Sequence, residues 1–213
     1  MVRGVFITVE GGEGTGKSTQ AEHLGSALRE AGLRVVQVRE PGGTRLGEGV
    51  RALLLDRAHD GLEPRAELLL YEAARAELTR QVIMPTLASG GAVVCDRYYD
   101  STTAYQGYGR GLPLDEIANL NAFAAAGLVP DLTIVLDLDP ALGLKRATSG
   151  VAADRLESES LEFHERVRDG FLQIAKSDPE RVAVVSADGS PDEVAARMLD
   201  AVRRIPVLAA VLH

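Results

Sequence analysis

The stretch Val5-Phe6-Ile7-Thr8-Val9-Glu10-Gly11-Gly12-Glu13-Gly14-Thr15-Gly16-Lys17-Ser18 changes character twice. A β-branched run that reads as a buried strand ends on a cluster of glycines. From Ser18 the apolar positions Ala21, Leu24, Ala27, Leu28 and Ala31 recur at helical spacing until Gly32 stops them in the manner of a C-terminal cap. Gly11 to Ser18 fits the phosphate-loop pattern of Gly, four residues, Gly, Lys, Ser/Thr, in the strand-loop-helix context that the pattern requires. The chemistry explains the composition. Several backbone N–H groups must turn inward around a polyphosphate, which a Cβ obstructs, and the start of the helix adds its positive end. Lys17 is then placed to reach the outer phosphates and Ser18 to ligate Mg²⁺ through its hydroxyl.

Outward from the loop the same alternation repeats. Leu33 to Val38 reads as a second strand, followed by a turn at Arg39-Glu40-Pro41-Gly42-Gly43-Thr44 and a helix from about Gly47 to Leu55. Residues 64–88 have a helical pattern with a kink or break expected at Pro85. Ser89-Gly90-Gly91 leads into a third strand, Ala92 to Cys95, and Leu132 to Leu138 and Val182 to Val185 read as a fourth and a fifth. Strands alternating with helices predict an α/β fold, a doubly wound parallel sheet with helices on both faces. No repeat or linker divides the chain, so residues 1–213 are read as one domain. Thr148 to Ala153, a run of small residues, is read as a surface loop or flap inside a lid segment at 148–157. The tail from Ile205 to His213 is expected to pack on the body or on a second subunit.

Composition narrows the function classes. With 213 residues, 46% hydrophobic and 25% charged, the chain has the make-up of an ordinary globular protein, which excludes disorder and collagen-like repeats. The net charge of −8 argues against a nucleic-acid-backbone binder, so an anionic ligand must be met by a local cluster of cations. The lone Cys95 leaves no disulfide framework, and no apolar run approaches the ~20 residues of a bilayer span. Met1 to Glu10 reaches an acid too soon for a signal peptide, and the expectation is a cytoplasmic protein.

A phosphate loop alone leaves kinase, switch GTPase and mechanical or partner-driven ATPase open. The only asparagines, Asn119 and Asn121, are followed by Leu and Ala, which speaks against an Asn-Lys-x-Asp guanine reader. A small-molecule kinase is favoured by Arg39, Arg51, Arg75 and Arg97, with Glu40 and Asp96 among them. Ligands of a parallel sheet sit beyond the carboxyl ends of its strands, and paired guanidinium groups suit a phosphate monoester.

Glu10 to Thr19, Arg39-Glu40-Pro41-Gly42-Gly43-Thr44, Asp96-Arg97-Tyr98 running into Ser101 and Ala104-Tyr105-Gln106-Gly107, and Pro130-Asp131-Leu132-Thr133 resemble the bacterial thymidylate kinases, over nearly the whole chain. The resemblance implies a five-stranded P-loop kinase with a short lid that phosphorylates dTMP to dTDP with Mg-ATP, as a homodimer without nucleic-acid or membrane partners. It implies an ATP site at Gly11, Gly12, Glu13, Gly14, Thr15, Gly16, Lys17, Ser18 and Thr19. For dTMP it implies Tyr71 stacked on the base, Arg75 on its O4, Thr102 and Gln106 at its Watson–Crick edge, Arg97 and Arg51 on the phosphate, Glu40 beside that phosphate and Glu13 near the sugar 3′-hydroxyl. Ser18 and Asp96 then serve the metal, with Asp96 a catalytic carboxylate near the transferring phosphoryl group as well. The flap holds no basic residue between Thr148 and Ala153, so the resemblance leaves the transition-state role to Arg155, with Lys145 or Arg146 second. A related nucleoside-monophosphate kinase preferring CMP or dUMP, and an ATPase driving partner binding, stay open. Read from the residues alone, Tyr71 is as much a core aromatic as a ligand-stacking one, because Leu68, Leu69 and Leu70 read as core.

Overall fold

The computed structural model describes residues 4–149 and 154–210. Strands β1 (Phe6–Gly11), β2 (Val35–Arg39), β3 (Ala92–Asp96), β4 (Leu132–Asp137) and β5 (Val182–Ser186) form one all-parallel sheet in the order β2-β3-β1-β4-β5. The expected strands thus all exist, within two residues of the positions read from the pattern. β1 is buried along its whole length, as suits a central strand covered on both faces, and Phe6, Ile7 and Val9 supply its apolar side chains. Its one hydroxyl is neutralised locally: Thr8 and Thr133 of β4 hydrogen-bond across the sheet at 2.7 Å.

The helices are α1 (Lys17–Glu30), α2 (Arg45–Leu55), α3 (Pro64–Leu78), α4 (Met84–Ala88), α5 (Tyr99–Thr102), α6 (Leu114–Ala124), α7 (Pro140–Ala147), α8 (Leu161–Ser177), α9 (Pro191–Val202) and α10 (Pro206–Ala209). Alternate residues of the strands face opposite layers. Ile7, Val9, Ile134 and Leu136 pack against Leu24 and Leu28 of α1 and Met198 of α9. On the other face Val135 joins Phe163, Val167 and Phe171 of α8. Burying each such side chain contributes roughly 1.5–3 kcal/mol, so the two layers and not any single contact hold the sheet. Leu208 of α10 is fully buried in the first of these clusters and Ile205 packs against it, so the tail is held on the body through Leu208.

One expectation is refined and another corrected. The break expected at Pro85 falls just before it: α3 ends at Leu78, a π-helical turn follows over Thr79–Ile83, and Pro85 is the second residue of α4. Proline lacks the N–H that a continuous helix needs and crowds the carbonyl four residues back, and the wider turn just before it removes both conflicts. Leu69 is not core. It is 56% exposed, whereas Leu68 is buried, because three consecutive residues of a helix cannot share one face.

Gly14, at φ 65°, lies against α7: a Cβ there would stand 1.9 Å from the Gly143 carbonyl oxygen, so no other residue fits this turn of the loop. Of the lid segment at 148–157, positions 150–153 lie outside the described residues.

Candidate active site

Parallel pairing brings the functional stretches to one edge. Val9 is level with Asp96, and Asp96 with Arg39, so Gly11, Glu40 and Arg97 each leave the sheet side by side. A cavity of about 410 Å³ opens there, and its wall includes Lys17, Ser18, Arg51, Tyr71 and Gln106.

At the loop end, Gly16 at φ 84° turns the chain into α1. Lys17 is folded back, its Nζ donating to the Gly12 carbonyl at 2.6 Å. Burial, together with the charge of Arg97, pushes its ammonium down to about 8. Ser18 Oγ donates to the Asp96 carboxylate at 2.5 Å, so a hydroxyl and a carboxylate meet at the cavity floor.

Arg97 occupies the junction. Its backbone is left-handed (φ 69°), which swings the guanidinium back over the loop. Nη1 donates to the Gly11 carbonyl (3.0 Å) and Ser101 (3.1 Å), and Nη2 to Glu13 (2.8 Å) and the Tyr105 hydroxyl (3.0 Å). Tyr105 itself donates to Glu13 at 2.6 Å. Burial alone would raise the Glu13 carboxyl, but Arg97 and Lys17 outweigh it and hold the group down to about 2.

At the far end stands Arg75, only 1% exposed. Nε and Nη2 donate to Glu40, Nη2 also to Thr102 (2.7 Å), and Nη1 to Asn121 (2.8 Å) while pairing with Glu72 at 2.9 Å. The guanidinium touches the cavity with its donors already engaged, so a carbonyl oxygen of a ligand must share one of them. Burial lifts Glu40 to about 7 even beside this cation. Arg51 donates to the Pro41 carbonyl at 3.2 Å, and Arg39 turns outward to Glu48.

The structure gathers Glu13, Lys17, Ser18, Thr19, Glu40 and Arg51 on the cavity wall, with Tyr71, Arg75, Asp96, Arg97, Thr102 and Gln106. It does not bring the two lid-flanking arginines there. Arg146 donates to the Ala187 carbonyl at 3.3 Å. Arg155 is 3% exposed behind the wall, with Nε on the Leu54 carbonyl (2.7 Å) and Nη2 2.6 Å from Glu67. The expectation that Arg155 faces the migrating phosphoryl group is therefore not how the described residues stand, because a fully buried carboxylate claims that guanidinium first.

Three participants went unassigned in the sequence: Glu10, Glu67 and Tyr105. Glu67 had a signal, since Glu67, Tyr71 and Arg75 recur every four residues on one face of α3. Glu10 had none, because an acid at the end of a buried strand looks like a strand terminus. In the fold it is fully buried, with Oε1 accepting from the Tyr98 N–H and Oε2 2.5 Å from Ser101 Oγ. Burial, with Asp100 nearby, raises its carboxyl from 4.5 to about 8. A carboxyl raised in the folded state binds a proton that the unfolded chain has released. Its contribution to stability is complete below about pH 4.5 and is lost as pH rises through 8. Glu10→Gln should therefore reduce the decline in melting temperature across that window, leaving the part due to Glu40 and Glu72, whose carboxyls are raised as well. Superimposable profiles for the two proteins would show Glu10 ionised throughout.

A phosphate loop, an arginine bridge and a second lobe lined by Tyr71, Arg75, Thr102 and Gln106 in one cavity define a P-loop phosphotransferase that works on two small phosphorylated molecules. Residues 9–198 match the family model for thymidylate kinase. The thymidylate kinase of Solidesulfovibrio magneticus is 56% identical over 198 residues, covering 90% of this chain and 95% of the relative. That of Deinococcus radiodurans is 51% identical over 202 residues, covering 95% and 98%. The crystal structure of the Ehrlichia chaffeensis thymidylate kinase superposes with a TM-score of 0.79 at 36% identity, over 94% of this chain and 99% of that one. This chain belongs to the thymidylate kinase family, the enzymes that phosphorylate dTMP to dTDP in dTTP synthesis.

Proposed function

We propose that the cavity holds ATP over residues 11–19 and dTMP in the lobe of Tyr71, Arg75, Thr102 and Gln106, with the phosphoryl group passing between them beside Lys17 and Arg97. The observation that carries this reading is the placement of Arg97, whose two nitrogens reach the loop at Gly11 and Glu13 while its strand end opens the second lobe. Phosphoryl transfer asks a protein mainly for alignment, exclusion of water and positive charge on the migrating group. Lys17 supplies a compact charge on the outer phosphates, and the planar fork of Arg97, joined by Arg51, holds the acceptor phosphate. Glu13, kept ionised by Arg97, is a hydrogen-bond acceptor for the sugar 3′-hydroxyl. Tyr71 provides the stacking face, with Arg75, Thr102 and Gln106 along the base.

Ser18 and Asp96 offer hard oxygen donors, and no group of three or more His, Cys, Asp or Glu side chains able to hold a metal stands among the described residues. That set fits Mg²⁺, which takes one or two protein oxygens and completes its shell with phosphate and water. When bound there, Mg²⁺ would supply positive charge to the phosphoryl transfer.

Arg155 is assigned here as a positioning residue that balances Glu67. Arg155→Ala leaves that carboxylate with Arg110 as its one cation and Gln106 as its other donor, and losing one partner of a buried pair costs about 3 kcal/mol. The expected outcome is a lower melting temperature and a higher KM for dTMP, with kcat little changed. A fall in kcat of about 10³-fold would instead return Arg155 to the transferring phosphoryl group.

The reading includes one kinase domain over 1–213 with its lid at 148–157, a homodimer and a cytoplasmic setting. The dimer is supported by the exposed Leu46 and Leu53 on α2, Leu69 on α3, and Leu114 and Phe123 (86% exposed) on α6, three helices packed in succession. The setting is supported by a single, buried, free cysteine, and no described helix is long and apolar enough to cross a membrane.

A coupled assay of ADP formation with Mg-ATP and dTMP, dUMP, dCMP, UMP, AMP, GMP or no acceptor tests the reading. dTMP should give the largest kcat/KM. Its methyl group should separate it from dUMP by about 10–200-fold. Equal turnover without acceptor would make the protein an ATPase.

A further inference from the structure

Gln106 lies on the π-helical segment Thr103–Gly109, is 1% exposed and lines the cavity. Its Nε2 donates to Glu67 Oε1 at 2.9 Å. Glu67 is fully buried, and Arg110 and Arg155 grip the same carboxylate, Arg110 through Nε (3.1 Å) and Nη2 (3.1 Å), Arg155 at 2.6 Å. Burial opposes its ionisation, but Arg110, Gln106 and Arg155 prevail and hold its pKa below the usual carboxylate range.

An ionised carboxylate only accepts hydrogen bonds, so the amide of Gln106 has one permissible orientation. The NH₂ must face Glu67, and the carbonyl oxygen faces away from it, accepting no hydrogen bond among the described residues. Arg75 carries donors only, spread over Glu40, Glu72, Thr102 and Asn121, so it cannot offer an acceptor to an N–H of the ring.

We propose that Glu67, which touches no substrate, is the positioning residue that fixes the polarity with which Gln106 meets the pyrimidine ring. The site thereby accepts a base carrying N–H at N3, as thymine and uracil do, and rejects cytosine, which carries a lone pair there. This rests on dTMP being the acceptor. Cytosine would set lone pair against lone pair, and a buried polar atom left unpaired is what makes polar sites selective.

The test is kcat/KM for dTMP, dUMP and dCMP in wild type, Glu67→Gln, Gln106→Leu and the double variant. An amide at position 67 both gives and takes hydrogen bonds, so Gln106 is free to turn over. The dTMP-to-dCMP ratio should then fall by about tenfold or more in Glu67→Gln. The dTMP-to-dUMP ratio should hold, because both bases carry the N3 hydrogen. In the Gln106→Leu background the same change at 67 should move the dTMP-to-dCMP ratio by less than about twofold. A loss shared equally by all three substrates, or one that persists undiminished without Gln106, overturns the proposal. A wild-type protein that prefers another monophosphate to dTMP overturns the acceptor reading itself before any variant is made. Should Glu67→Gln not fold, isotope-labelled Gln106 in the wild-type protein decides: side-chain NH₂ protons equally protected from exchange with and without dTMP support the proposal. NH₂ protons that leave Glu67 for the base overturn it.

Discussion

Replacing Lys17 by methionine should lower kcat by about 10³-fold, the scale on which removing one preorganised charge from a transition state is felt. The same substitution should leave the melting temperature unchanged or raise it. In the fold Lys17 is 8% exposed, and its ammonium donates to the Gly12 carbonyl and is pushed down to about 8 by burial and by Arg97. A base depressed in this way burdens the fold fully below that pH, and the burden fades as pH rises toward the unfolded value of 10.5. Methionine keeps the apolar stem and removes the charge. Activity and stability therefore move in opposite directions, as expected where a site stores an unfavourable charge for its ligand. Steady-state turnover with saturating Mg-ATP and dTMP, together with a thermal melt, checks both halves. A kcat within about tenfold of wild type would remove Lys17 from the transition state.

Arg97→Lys should depress kcat/KM for dTMP by about 10²-fold while the KM for ATP stays close to wild type. The backbone at this position is left-handed, at φ 69°, and lysine meets the same strain as arginine, so the substitution isolates the head group. One nitrogen of the guanidinium reaches Gly11 and Ser101, the other Glu13 and Tyr105, and the plane lies 4.9 Å over the Tyr105 ring. A single ammonium cannot hold both pairs of acceptors in one plane. It would neutralise Glu13 or face the acceptor phosphate, but not do both with the geometry of a fork. Separate titrations of dTMP and ATP distinguish the outcomes, and an equal loss for the two nucleotides would place Arg97 on the triphosphate.

Much of this protein is written in local patterns. The β-branched run before Gly11, the helical spacing after Ser18 and the repeated alternation are each decided by side chains within a few residues of one another, so the α/β class and every strand of the sheet were legible. The glycines belong to the same category, since Gly14 and Gly16 answer to their own backbone angles. The cations at strand ends were legible as a group for the general reason that parallel sheets open at their carboxyl edge.

What each of those cations touches was decided only by the tertiary structure. Ser18 meets Asp96 from 78 residues away, and Arg155 reaches the Leu54 carbonyl across 101. Such pairings depend on strand order and register, which no short window contains. Glu67 shows the limit: its helical spacing with Tyr71 and Arg75 is visible in the sequence, but nothing local says that its carboxylate will be buried, gripped by Arg110 and Arg155, and used to turn Gln106. The assignment of Arg155 to the lid followed from its neighbours along the chain, and its place behind the cavity followed from the competition of a buried charge for its nearest partner. Local chemistry settles which groups are present, and long-range packing settles which of them are free to act.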